Sequence, residues 1–341
     1  MAGRTKAGPA DSPLDIYWID VEGGGATLIV TPAGQSILID SGHPGTRDAR
    51  QIYQTTARVA RLRKIDFLII THLHPDHFGG AAALSELIPI GQVYDRGVPL
   101  HGFDGDNDAF WLNVSKAYRT FSAEGRNIVT PGLIIPLKQA GALKVGLRCV
   151  ASAEQFIVAP NGAPLNPLAT EDSYMNLPSS ENGRSSAWVL DFGPFRFWDA
   201  GDLTWNMEAK LVVPINLVGQ VDVYQVDHHG LDDANNPVLI HSLAPVVSVM
   251  NNGGGGTRTR SVDTLRTFSG LQARYQIHKN LGPSETTSNT SDDFIANRGS
   301  DPNHTDANYI KLSVDPTGKS YTISIPGTGH TRTYQTRLNK N

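Results

Sequence analysis

Short apolar runs separated by glycine- and proline-marked turns dominate the first part of the chain. Leu14 to Val21 predicts a strand, Gly23-Gly24-Gly25 a turn, Ala26 to Thr31 a second strand and Gln35 to Asp40 a third. Strands joined this way predict an antiparallel meander. Thr46 to Arg63 predicts a helix, and the apolar run Asp66 to Ile70 a buried strand. The polar loop Thr71 to Gly80 follows, then an Ala-rich helix through Leu87 and a short strand from Gln92 to Arg96. Ala109 to Glu124 has helical spacing, with Phe110, Trp111, Val114, Tyr118 and Phe121 on a rough stripe that reads as core.

Strands alternate with helices again in the second part. Ala187 to Phe192 and Phe195 to Asp199 predict paired strands around Gly193-Pro194, with a helix near Trp205 to Val212. Val221 to Val226 and Pro245 to Met250 predict strands, Ser261 to Phe268 a helix, and Arg274 to His278 a strand. Tyr309 to Val314 and Tyr321 to Ile325 predict a closing hairpin. Residues 97–145, 159–186 and 280–307 read as insertions; a long loop such as 159–186, polar and without a period, is usually functional or mobile. Residues 1–13 read as a disordered leader and 14–341 as one domain. The order of elements predicts an α/β fold of two sheet-and-helix halves packed face to face.

Composition adjusts this picture only slightly. With 341 residues and 39% hydrophobic content a core is available, while 34 glycines and 21 prolines predict many turns. A net charge of −4 lacks the basic excess of a dedicated nucleic-acid binder, so a nucleic-acid partner has no support from charge. Cys149 is the only cysteine and excludes an intrachain disulfide; its apolar neighbours predict a buried, inert thiol. No run approaches the roughly 20 apolar residues of a membrane helix. The first 13 residues lack a signal-peptide core. The expected compartment is cytoplasmic, or extracellular if a signal peptide has been removed.

The densest chemistry lies in the loop after the fourth predicted strand. His72, His74, Asp76 and His77 fall within six residues. A ligand-dense loop between a buried strand and a helix is where α/β folds build sites. Imidazole and carboxylate suit Zn²⁺ best and Mn²⁺, Fe or Co less exclusively. Asp40, Asp202 and His228-His229 stand at other predicted strand ends. A carboxylate can bridge two cations, and two cations about 3.5–4 Å apart can hold a hydroxide that is nucleophilic at neutral pH.

With Asp40 before the loop, and Gly201-Asp202 and His228-His229-Gly230 after it, the chain resembles the metallo-β-lactamase superfamily from about Leu14 to the final hairpin. The resemblance implies an αββα sandwich of two mixed sheets flanked by helices, with a dinuclear site, most readily zinc, at one edge. It implies that His72 and His74 belong to the first metal and Asp76 and His77 to the second. Asp202 would bridge, and His229, with His228 as the alternative, would complete the second site. The remaining histidine of that pair would support a ligand or touch substrate. Asp40 is similar to the family's structural carboxylate. Asp20 to Ile29, Asp199 to Asp202, Asp227 to Gly230 and Val247 to Asn252 are similar to the hydrolase domain of ComEC-type competence proteins. The implied activity is hydrolysis by a metal-bound hydroxide, with Asp76 and Asp202 catalytic. A phosphodiester or ester-type substrate is expected; a lactone or β-lactam is the alternative, and a binding module on a decayed site the non-enzymatic one.

Two departures from the family pattern matter. Many superfamily hydrolases carry a third histidine for the first metal, yet no histidine exists between His101 and His228. The equivalent place falls near Arg184-Ser185-Ser186, which predicts a weaker first metal. Where ComEC-like domains tend to place a histidine after the Asn-Asn turn, this chain has Gly253 to Gly256, then Arg258. Arg258 and Arg260 are candidates for an anionic substrate group, set against solvated arginines on a loop. His43, in Ser41-Gly42-His43-Pro44, is a candidate residue of the site mouth. His304 reads as a surface residue, and Asp104, Asp106 and Asp108 as a solvated acidic loop, because the spacing of a Ca²⁺ loop is missing.

Overall fold

The computed structural model describes residues 12–169, 173–254, 259–282, 288–299 and 309–337. The meander forms as expected: β1 (Leu14–Ile19), β2 (Thr27–Val30) and β3 (Ser36–Ile39) pair antiparallel. The chain then crosses through α1 (Thr46–Tyr53) to β4 (Ile65–Ile69), which pairs parallel with β3. Beyond the polar loop come α2 (Pro75–Phe78), α3 (Ala81–Ser85) and β5 (Ile90–Asp95), parallel to β4. The predicted helix from Thr46 to Arg63 is cut short: α1 gives way to a wider π-type turn over Gln54–Val59. The helix expected over Ala109 to Glu124 is two, α4 (Asp108–Val114) and α5 (Lys116–Thr120). At the break the Ser115 hydroxyl donates to the Trp111 carbonyl, which competes with helix propagation.

The insertion around 97–145 also contains sheet. β6 (Gly125–Ile128) extends the first sheet beside β5, and β7 (Val145–Ser152) lies in the second sheet against β9 (Ala187–Phe192). The short β8 (Gln155–Phe156) caps β7. β9 pairs antiparallel with β10 (Phe195–Asp199), as the turn at Gly193-Pro194 predicts. Then β11 (Val223–Gln225), β12 (Val247–Met250), β13 (Ala273–His278) and β14 (Ile295–Asn297) add in parallel. Helices α6 (Trp205–Lys210), α7 (Pro237–Leu243) and α8 (Thr259–Thr267) make the crossovers. The chain returns to the first sheet through β15 (Tyr309–Val314), β16 (Ser320–Ile325) and β17 (His330–Gln335).

Two mixed sheets result, ordered β17-β16-β15-β1-β2-β3-β4-β5-β6 and β14-β13-β12-β11-β10-β9-β7-β8. One apolar layer fills the space between them, with Trp18, Ile37 and Phe67 from the first sheet meeting Trp188, Phe197 and Val249 from the second. Two further layers seat the helices on the outer faces, for example Ile52 and Leu84 on one side, Leu239 and Leu265 on the other. Cys149 is fully buried in the central layer, and burial pushes its thiol up to about 12. One polar staple crosses that layer: Gln225 Oε1 accepts from Trp18 Nε1 (2.9 Å) and Thr27 Oγ1 (2.7 Å). Parallel strands β3, β4, β10, β11 and β12 all end on the same rim, and there the ligand-bearing loops meet.

Candidate metal centre

The loop after β4 is anchored from below. Asp40, just past β3, has φ 62°, in the left-handed region that Asp tolerates better than most residues. Its Oδ1 accepts from the Thr71 amide (2.8 Å), and its Oδ2 from the Thr71 hydroxyl (2.8 Å) and His77 Nδ1 (2.7 Å). Gly201, at φ 55°, lets the Asp202 loop lie against Thr71: a Cβ there would stand 2.4 Å from Thr71 Oγ1. Gly24 passes as closely under the loop, where a Cβ would meet the Asp76 carbonyl at 2.2 Å.

Each imidazole spends its outer nitrogen on a fixed partner. His77 Nδ1 donates to Asp40, and His229 Nδ1 to the Asn251 carbonyl (2.7 Å). His228 Nδ1 donates to Asp233 Oδ1 (2.6 Å), and His74 Nε2 to Asp104 Oδ2 (3.2 Å). Because the Thr71 hydroxyl gives its proton to Asp40, its oxygen accepts from His72 Nδ1 (3.2 Å). The remaining five nitrogens therefore present lone pairs inward. His77 Nε2 and His229 Nε2 lie 3.3 Å each from Asp202 Oδ1, and 3.2 Å from one another. On the other side His72 Nε2 is 3.7 Å and His228 Nε2 3.6 Å from Asp202 Oδ2, with His74 Nδ1 3.1 Å from His72 Nε2. Asp76 Oδ2 stands 3.6 Å from His77 Nε2 and 3.7 Å from His229 Nε2.

Such lone-pair contacts repel unless something positive lies between them. Asp202 Oδ1 makes the same demand, because it is buried without a hydrogen-bond partner. Ligand atoms of Asp76, His77, Asp202 and His229 all fall within 4.8 Å of one another. The donor set, neutral imidazole with carboxylate and with outer nitrogens already hydrogen-bonded, is what a Zn²⁺-type ion takes. The residues therefore fit a metal. The electrostatics show how strongly this cluster attracts positive charge. Burial penalises the Asp202 charge, but His229, His77, His228 and His72 outweigh it and hold its carboxyl well below the usual range. Burial likewise opposes a charge on His77, yet Asp202, Asp40 and Asp76 raise it well above the ordinary imidazole value. Burial, aided by His77, pushes His72 well down.

The structure thus brings His72, His74, Asp76, His77, Asp202 and both His228 and His229 together, with Asp40 beneath. His43 is tied to Asp48 Oδ2 and the Val21 carbonyl, both at 3.1 Å, and Asp48 chiefly raises its pKa. Arg258, Gly255, Gly256 and His304 lie outside the described residues. Several supports escaped the sequence reading. Asp104, expected in a solvated acidic loop, instead holds His74 and accepts from the buried Glu181 amide (3.0 Å). Glu181 accepts from the Leu73 amide (2.9 Å) and Arg96 Nε (2.8 Å), so the long 159–186 loop clamps the ligand loop. His278, given no role from sequence, is buried with Nε2 2.6 Å from Asp20 Oδ1. Its neighbour Arg47 also pairs with Asp20 and Glu22, which makes this second acidic cluster an ion-pair network under the rim. Asp233 and Asn182, around His228, carried no sequence signal beyond nearness to the histidine pair or the loop.

Residues 20–145 match the family model described as the metallo-β-lactamase superfamily. A UPF0173 metal-dependent hydrolase of Cupriavidus metallidurans is 33% identical over 221 residues, covering 61% of this chain and 62% of that protein. Another, from Cupriavidus necator, is 34% identical over 213 residues, covering 62% of each. The chain thus spans less than two thirds of the length of these curated relatives. Among solved structures, the metallo-β-lactamase fold protein YhfI from Bacillus subtilis is 13% identical with TM-score 0.44, covering 77% of this chain and 96% of that one. A diphosphatase of the PhnP family is 12% identical with TM-score 0.41, covering 76% and 94%. The two mixed sheets with flanking helices, together with the family match, are the metallo-β-lactamase fold.

Proposed function

We propose that this chain of metallo-β-lactamase fold is a metal-dependent hydrolase acting on an ester-type or phosphodiester bond of a small substrate. The observation that carries the reading is the convergence of four imidazole lone pairs on the buried Asp202 carboxylate, with a fifth, on His74, beside that of His72. His72, His74 and Asp202 would hold one cation, and Asp76, His77, Asp202 and His229 a second. Zn²⁺ suits these donors best, and Mn²⁺ suits them next. When bound, the pair would supply Lewis acidity toward the scissile oxygen and lower the pKa of water. Asp76, partly exposed at the mouth, is placed to orient that water or carry its proton. Asp40, Thr71, Asp104, Asp233 and the Asn251 carbonyl fix the tautomers. The names of the Cupriavidus relatives point the same way.

The cleft over the cluster measures about 450 Å³, a small-molecule size. Glu22 and Asp76 line it, and among the described residues no lysine or arginine does. That lining favours a small substrate over a polyanionic strand. The ComEC-like motifs keep a phosphodiester in view, and lactones and β-lactams are the other arm. The test is a panel on Zn²⁺- or Mn²⁺-loaded protein: bis-p-nitrophenyl phosphate and single-stranded DNA, p-nitrophenyl esters, lactones and nitrocefin, with Asp202→Ala as control. Turnover of one class, lost in the control, is expected. Full activity in Asp202→Ala refutes the two-cation reading. A metal-free, inactive protein that Zn²⁺ and Mn²⁺ fail to rescue would make the chain a binding module.

A further inference from the structure

The expected weakness of the first metal position rests on a missing imidazole between His101 and His228. The geometry supplies one from elsewhere. His228 and His229 are consecutive, and both take left-handed backbone angles, φ 48° and φ 52°, followed by Gly230 at φ 82°. Left-handed angles are unfavourable for residues with a Cβ, so a pair of them persists only where the surroundings impose it. The consequence is divergence: the two rings leave the chain on opposite sides of Asp202, with centroids 6.0 Å apart. His229 Nε2 faces Oδ1, together with His77; His228 Nε2 faces Oδ2, together with His72.

His228 is also prepared as a ligand. Asp233 Oδ1 takes its Nδ1 proton at 2.6 Å, the carboxylate–imidazole arrangement that orients metal-binding histidines. Its side chain is only 11% exposed. Asn182 Nδ2 donates to its Nε2 at 3.1 Å, a bond that a cation at this nitrogen would have to displace. A residue that merely carried protons to solvent would have no need to share the Asp202 oxygen with His72.

We infer that His228 is the third imidazole of the first metal position, completing a set with His72 and His74 that shares Asp202 Oδ2. Adjacent residues of one strained turn thereby serve both cations. Asp233 is the positioning residue for this ligand. The inference rests on the dinuclear reading above and replaces its weakest part: the first position has three imidazoles, not two.

The test is metal binding, without reference to turnover. Co²⁺ stoichiometry and affinity are measured by equilibrium dialysis and by the d–d absorption on wild type, His228→Ala, His72→Ala, the double variant and Asp233→Asn. Circular dichroism confirms the fold of each, and His228→Gln replaces any His228→Ala that does not fold. Wild type is expected to bind two ions. His228→Ala keeps one and weakens the other by more than the roughly 10–100-fold that loss of an outer partner costs, while Asp233→Asn stays within that range. The double variant still holds one ion at the affinity seen in either single variant, since both residues serve the same cation. Two tight ions in His228→Ala overturn the inference and leave the dinuclear reading standing. Loss of both ions in the double variant also overturns it, because the two histidines then serve different cations. No bound ion in wild type overturns both.

Discussion

Asp40→Asn isolates the hydrogen-bond logic of the centre. The substitution keeps the shape, and Asn tolerates the left-handed φ of 62° as well as Asp does. What changes is polarity. Asp40 accepts three hydrogen bonds and donates none: Thr71 N on Oδ1, Thr71 Oγ1 and His77 Nδ1 on Oδ2. With the amide nitrogen in place of Oδ2, it faces the His77 Nδ1 proton at 2.7 Å. With the amide flipped, it faces the Thr71 N–H at 2.8 Å. Either way two buried donors oppose one another. His77 can escape only by moving its proton to Nε2, which removes the lone pair aimed at Asp202. A buried unsatisfied donor costs about 1–3 kcal/mol, and loss of a charged acceptor adds to it, so metal-free Asp40→Asn should lose roughly 2–4 kcal/mol. Metal affinity should fall on the order of 10–100-fold. Urea unfolding in chelator and zinc titration against a competing chromophoric chelator read the two effects. Unchanged stability and unchanged affinity together would refute the tautomer reasoning.

Other consequences are independent of that one. Gln225→Leu strands the Trp18 donor between the sheets, while Thr27 keeps Asp199 as an acceptor, so a loss of about 1–3 kcal/mol is expected in urea unfolding, with the secondary structure intact. Asp199 is pushed up to about 7, by burial first and by Asp40 second. The folded chain thus keeps that proton where the unfolded chain has lost it, and stability falls as pH rises from about 4 to about 7, by an amount on the order of 4 kcal/mol. Asp199→Asn should flatten that part of the pH–stability curve of the metal-free protein; an unchanged slope would show that Asp199 ionises freely. The Cys149 thiol, raised to about 12, should resist a disulfide reagent at neutral pH until denaturant is added.

Much of the architecture was legible because its signals are local. Apolar runs ending at Asp40, Thr71, Asp199 and Asp227 mark strands whose ends share one rim, and the histidine loop names the chemistry. What escaped was non-local. β7 alternates, with Val145, Leu147 and Cys149 in the central layer and Gly146 and Arg148 on the other face, but its place in the second sheet is set by pairing with β9, more than 35 residues on. β14 has three residues and exists only as a neighbour of β13. Asp104 looked like a solvated acid because its partners, His74 and the Glu181 amide, lie 30 and 77 residues away. The count of imidazoles was legible; which oxygen of Asp202 each one faces was not, because that depends on two successive left-handed residues at His228 and His229.

The proposed function requires that this cluster cradle two cations bridged by Asp202. Elemental analysis of the purified chain after saturation with Zn²⁺ and removal of the excess tests it most directly, with Asp202→Ala alongside. Two zinc ions per wild-type chain are expected, with loss of tight binding in the variant. A wild-type chain that retains no zinc, or a variant that retains two, would contradict it.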